Sequence, residues 1–317
     1  MKQEILFSMK SPYRDEFKIQ GFRFGEGEKS VAIVGAMRGD EVQQQFTCSQ
    51  IVKNLMEMEE AGLLVPGHEI LVIPSANHFS MNINKRFWAM DNTDINRMFP
   101  GYEKGETTQR IASAVFDSVK GYKYGIQLAS FYLPGEFIPH VRMMNTGFQD
   151  TNLALKFGLP YVFVRQPKPY DTTLLNYNWQ VFDTQAFSIY AGDTNIINTE
   201  SAKIAWTSIL RFLDKMGIIK HTIHNGFCSS IISEKNLQSI MSDSAGILYS
   251  LKESGDEIKK GDILAKVLDP FNGKVLSEIY SPITGTIFFA HQKPLIHQHT
   301  VLFKIIDFNY CNEVKNE

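Results

Sequence analysis

Along the first two thirds of the chain, short apolar runs alternate with stretches whose apolar residues recur every three or four positions. The runs at residues 17–24, 30–36, 69–75, 124–130, 138–144, 161–166 and 186–192 predict strands. Residues 41–61, 109–119, 151–157 and 199–216 predict helices. Runs such as residues 32–36 do not alternate between apolar and polar positions, so their strands are expected to be buried on both faces. That is the habit of central strands in an α/β sheet flanked by helices.

Beyond residue 220 the texture changes. The helical periods stop, and short β-type runs appear between Gly-Asp and Pro turns. Residues 246–269 and 281–306 look like a weak internal repeat, one carrying Leu264-Ala265-Lys266-Val267 and the other Leu302-Phe303-Lys304-Ile305. Two similar hairpin units suit a small all-β barrel. The expected division is an α/β domain at 1–220 and a β domain at 221–317.

Composition narrows the classes. Hydrophobic residues make up 44% of the 317, enough for a sizeable core. Thirty-two Lys and Arg against 34 Asp and Glu give a formal net charge of −2, so no basic excess points to nucleic acid. Cys48, Cys228 and Cys311 are few and scattered, which suits a reducing compartment and neither a disulfide framework nor a metal knuckle. The first residues are too polar for a secretory signal, and no apolar run approaches the ~20 residues of a membrane helix. The expected location is the cytoplasm, without membrane contact.

The chemistry centres on residues 35–44, which read as a strand end, a tight turn and a helix start. Asp40 and Gln43 have the spacing of an N-cap with a capping box. Glu41 suits the positive end of the helix dipole. Gly35 and Gly39 read as turn glycines. Arg38 stands three residues before Glu41, within reach of a charge-assisted pair.

Four fragments in order carry a resemblance: Gly39-Asp40-Glu41, the run from Asp94 through Asn96-Arg97-Met98-Phe99-Pro100-Gly101, Ile138-Pro139-His140-Val141-Arg142, and the Gly-Asp turns of the C-terminal part. Together they resemble the succinylglutamate desuccinylase/aspartoacylase family of the zinc carboxypeptidase superfamily. The resemblance implies a mixed central sheet flanked by helices and a small β domain similar to lipoyl and biotinyl domains. It also implies hydrolysis of N-acyl amino acid amides by a zinc ion on two histidines and a glutamate, with a second glutamate as base.

Carried over residue by residue, that set is incomplete. The first motif has Arg38 in place of a metal histidine and keeps Glu41. The second metal histidine aligns with Ala129, in Gln127-Leu128-Ala129, where Gln127 replaces an aspartate. The catalytic glutamate aligns with Tyr190. A catalytic zinc normally takes three protein ligands, and a guanidinium is never one. No catalytic residue and no zinc are therefore expected, Glu41 being the single ligand-type residue kept. The intact Asn96-Arg97 pair implies a carboxylate subsite, with Arg86 as a further contact.

The remaining histidines form no helical i, i+4 pair. His297 and His299 read as a surface pair, His140 as structural, and the one metal set to be drawn is His78, His140 and Glu41. Lys274 lies near a turn without the sequence setting of a carrier lysine. Three functions stay open: a binding or regulatory pseudoenzyme for a small carboxylate or acyl amino acid, a diverged deacylase, and a non-catalytic subunit of an active paralogue. The protein partner left open is a second copy of this chain or the active paralogue.

Overall fold

A computed structural model describes residues 1–11, 15–221 and 223–308. Cys311 lies outside the described residues. In chain order the first unit contains β1 (Lys2–Met9), β2 (Phe17–Phe24), β3 (Gly27–Ala36), α1 (Val42–Glu60), β4 (Gly67–Ser75), α2 (His78–Met81), α3 (Thr107–Val119) and β5 (Tyr124–Leu128). After β6 (Gly135–Phe137), which joins the second unit, come β7 (His140–Met144), α4 (Thr151–Leu155), β8 (Tyr161–Arg165), α5 (Leu175–Val181), β9 (Gln185–Tyr190) and α6 (Thr199–Lys215). With β10 (Ser230–Ser233), nine strands form one mixed sheet in the order β1-β2-β4-β3-β5-β9-β7-β8-β10. Strands β4, β3, β5 and β9 run parallel, and β7 meets β9 antiparallel.

The non-alternating runs behave as their pattern requires. Every residue from Val31 to Ala36 is buried, and so is all of β5. Ala32, Val34, Leu71, Ile73 and Ala186 share a core with Ile111 and Val115 of α3 and Trp179 of α5. Residues of opposite parity face α1, where Gly35 meets Cys48. Helix α1 also packs on α6. Phe212 of α6 stacks on Phe157 at 4.3 Å and meets Phe187 and Tyr124 at 5.4 and 5.3 Å. Burying each such ring stabilises by roughly 1.5–3 kcal/mol.

Several elements differ from the sequence pattern. β1 lies in a stretch of polar composition; it is a half-exposed edge strand that, among the described residues, pairs with β2 alone. Helix α5 was not predicted, because its seven residues are too few to display a helical period. Gly35 is no turn glycine: it is inside β3, where a Cβ would lie 2.2 Å from the Pro74 carbonyl oxygen.

The second unit comprises Phe131–Ile138, Ala191–Asp193 and the chain from Ile232, so the compact units do not divide at 220/221. The reason is that β10 belongs to the large sheet, while β6 pairs with a strand of the second unit. Strands β11 (Leu237–Met241), β12 (Gly246–Ser250), β13 (Glu257–Ile258), β14 (Ile263–Leu268), β15 (Val275–Tyr280), β16 (Gly285–His291), β17 (Leu295–Ile296) and β18 (Val301–Asp307) form two sheets. One has the order β11-β18-β16-β13, with β6 also on β16; the other is β15-β14-β12-β17. Leu264, Val267, Leu302 and Ile305, which belong to the two repeated motifs, share one core. Among the described residues no helix is long and apolar enough to cross a membrane.

Candidate functional site

Three parallel strands deliver the candidate residues from their carboxyl ends, the usual position of ligand sites in α/β sheets. Arg38 follows β3, Ala129 follows β5 and Tyr190 closes β9. The Ala129 amide donates to the Ile189 carbonyl at 3.0 Å, which fixes β5 and β9 in register at this level.

Glu41 is fully buried and is the residue from which α1 starts, yet its side chain does not cap the helix. It turns back toward the strand end. One carboxylate oxygen accepts from the amides of Met37 and Arg38 at 2.8 and 3.0 Å. The other accepts from Arg38 Nη1 at 3.1 Å and Ser130 Oγ at 2.6 Å. Both oxygens are therefore committed to protein donors.

Arg38 bridges two acids. Its Nε and Nη2 donate to Asp94 Oδ2 at 3.1 and 2.8 Å while Nη1 reaches Glu41. Burial by itself would lower the guanidinium pKa, but the carboxylates of Glu41 and Asp94 outweigh it and raise it above the ordinary arginine value. The cation is permanent. Asp94 also accepts from the Asn96 amide, fixing the short turn at Ile95–Arg97, and the Asn96 side-chain oxygen accepts from Gln127 Nε2 at 3.1 Å. One continuous polar chain thus links Glu41, Arg38, Asp94, Asn96 and Gln127.

The capping box expected at Asp40 and Gln43 is not formed. Asp40 pairs with Arg86 at 2.7 Å, and Gln43 bonds in both directions to the main chain of Asn198. A long-range cation is a stronger partner for Asp40 than a local amide. Arg86 is accordingly engaged on the α1 turn. Arg97 is more open: its side chain is 40% exposed, Nε lies 3.8 Å from Asp94 Oδ2, Nη1 donates to the Tyr170 carbonyl at 2.9 Å, and the guanidinium lies 5.5 Å from the Tyr170 ring centre.

Tyr190 is a packing residue in this arrangement. Its ring stacks on His140 at 5.1 Å, and the Arg142 guanidinium sits 4.0 Å from the ring centre. His78 stacks on Phe17 at 4.8 Å. The set His78, His140 and Glu41 does not form a site, since no group of three His, Cys, Asp or Glu suited to a metal occurs among the described residues. Each of the three is held by different neighbours. Asp94, Ser130 and Arg142 complete the cluster without having been singled out from sequence. Asp94 and Arg142 lie inside the quoted motifs, and Ser130 directly follows Ala129.

Residues 27–216 match the succinylglutamate desuccinylase/aspartoacylase catalytic domain. The chain belongs to that family. Its fold is also that of solved structures across nearly the whole length. The product-bound ectoine utilization protein EutE (DoeB) from Ruegeria pomeroyi is 18% identical, with a TM-score of 0.79, covering 96% of this chain and 94% of that one. A succinylglutamate desuccinylase from Silicibacter sp. TM1040 is 16% identical, with a TM-score of 0.81, covering 96% and 95%. A succinylglutamate desuccinylase/aspartoacylase from Rhodobacter sphaeroides is 18% identical, with a TM-score of 0.76, covering 92% and 90%. No curated protein matches the sequence. Arg38 and Glu41 lie in the turn between β3 and α1, and Asn96 and Arg97 lie in the 3-10 turn tied to Asp94.

Proposed function

We propose that this chain is a family member that has lost zinc-dependent amide hydrolysis and serves as a binding or regulatory protein for a small carboxylate. The observation that carries this reading is Arg38, which stands at a histidine position of the first metal motif and whose guanidinium spans Glu41 and Asp94. The donor set does not fit zinc. A zinc ion needs ligands with free lone pairs, whereas both oxygens of Glu41 already accept from four donors. A fixed cation beside it repels a dication. Alanine at 129 offers no ligand. Tyr190, packed against His140 and Arg142, offers no carboxylate base for the water proton.

The ligand reading rests on Arg97. Its guanidinium is half-exposed, anchored by one hydrogen bond from Nη1 to the Tyr170 carbonyl and by a long ion pair of Nε with Asp94 at 3.8 Å. A planar fork of that kind matches a carboxylate with two hydrogen bonds. Asn96 holds the turn beside it, and the pairing of Arg86 with Asp40 competes with a ligand there.

Two measurements test this function. Incubation with a panel of N-acyl amino acids and supplied zinc should release no free amino acid above background. A thermal-shift screen against acyl amino acids and dicarboxylates should find a stabiliser, because a ligand of the native state raises stability by RT ln(1 + [L]/Kd). Arg97→Ala should abolish that shift. Zinc-dependent turnover would return the protein to the deacylases, and a shift indifferent to Arg97→Ala would remove Arg97 from the site.

A further inference from the structure

A cavity of about 270 Å³ opens beside α6. Leu159, Lys203, Ile204, Thr207, Arg211 and Phe227 line it. Lys203, Thr207 and Arg211 are spaced four apart on the helix, so they form one stripe facing the space. Ile204 and Phe227 are exposed apolar side chains, 37% and 58%, at the same opening.

Arg211 is the unusual member. It is 7% exposed. Its Nε donates to the His224 carbonyl and its Nη1 to the Phe157 carbonyl at 2.6 Å. Among the described residues no carboxylate pairs with it, and burial accordingly pulls its pKa below the ordinary arginine value. Arg38, by contrast, has two acids to offset the same cost. A desolvated charge is expensive unless an opposite charge joins it. The surroundings are shaped to hold it. Gly158 and Gly226 both adopt left-handed backbone, at φ +62° and +78°, and a Cβ on Gly226 would lie 2.9 Å from the Arg211 guanidinium carbon. The Phe227 amide closes this loop on the Gly158 carbonyl at 2.9 Å. The result is a guanidinium fixed in direction by two main-chain carbonyls, with its Nη2 tied to no described residue.

We propose that this cavity binds a small carboxylate with an apolar tail, the carboxylate on Arg211 and Thr207 and the tail against Leu159, Ile204 and Phe227. Lys203 adds positive potential at the mouth. Glu200, also on the lining, faces the same space and suits an ammonium group. The shared chemistry therefore covers both a simple branched acid and a free apolar amino acid. The volume lies just under the usual range of ligand sites, roughly 300–1,000 Å³, which limits the occupant to a compact molecule.

Calorimetric titration of the full-length protein tests this, with 4-methylpentanoate and leucine as probes and isoamylamine as the control that has the tail without the carboxylate. At least one of the two carboxylates should bind saturably and isoamylamine should not; their order of affinity tells an acid site from an amino acid site. Thr207→Trp, which fills the cavity from a partly exposed helix position, should abolish binding. Lys203→Glu should weaken it several-fold, and Arg97→Ala should leave it unchanged, which separates this cavity from the carboxylate site proposed at Arg97. Arg211→Met should also abolish binding, and its circular dichroism shows whether the fold survives the loss of two carbonyl contacts. Absence of saturable heat with both carboxylates, equal binding of isoamylamine, or affinity untouched by Thr207→Trp would overturn the assignment.

Discussion

At the scale of single residues, Arg38 has the largest predicted effect. Its removal leaves Glu41 buried with no cation and strips Asp94 of two hydrogen bonds. Breaking a buried ion pair from one side costs roughly 3–5 kcal/mol, so Arg38→Ala should lower the urea midpoint by a corresponding amount. A loss under about 1 kcal/mol, the range of exposed pairs, would mean that Glu41 is solvated in solution. His78 makes a pH prediction. Burial lowers its pKa below the ordinary histidine value, so the unfolded chain takes up the proton at a higher pH than the native one. The associated stability is present above about pH 6.5, the unfolded value, and is lost as pH falls through the lower native pKa. His78→Phe keeps the stack on Phe17 and should flatten the decline of melting temperature between pH 7 and pH 5; an unchanged slope would assign the acid sensitivity to other groups. The Arg38–Glu41 contact was legible in the sequence because three residues in a turn bring side chains together. Asp94, 56 residues away, was not, and neither was Arg86, which draws Asp40 from its local capping role across 46 positions.

At the scale of elements, hydrophobic runs located the central strands well, because strands buried on both faces have little freedom in composition. Observed β2 spans the predicted 17–24, and α6 ends one residue short of the predicted 199–216. The half-exposed β1 and the short α5 and β6 were not legible: an edge strand bears polar residues, and three to seven residues carry no period. Helix α6 holds both the α1 junction and the cavity at Arg211, and its start is fixed by Asn198, whose side chain accepts from the Ser201 amide at 3.0 Å. Asn198→Ala should cost about 1 kcal/mol. The Gln43 contacts use the main chain of Asn198 and survive the change. Thermal denaturation checks this; an unaltered midpoint would show that Gln43 alone sets the helix start.

At the scale of the whole molecule, the chain keeps the family fold over a region matched from residue 27 to 216 while presenting a buried ion pair in the turn between β3 and α1. Fold and chemistry separate readily, since the sheet is specified by dozens of buried apolar positions and the reaction by a handful of side chains at strand ends. The order of the motifs was enough to read the family. The donors that saturate Glu41 had to be seen in three dimensions, because two are main-chain amides and Ser130 is 89 positions distant. The central claim is that Arg38 has taken the place of a metal ion. Calorimetric titration of zinc into chelator-treated wild-type protein tests it most directly. The account predicts no saturable binding in the micromolar range and no rise in melting temperature on adding zinc. A single zinc per chain, bound tightly and released by chelation, would contradict it.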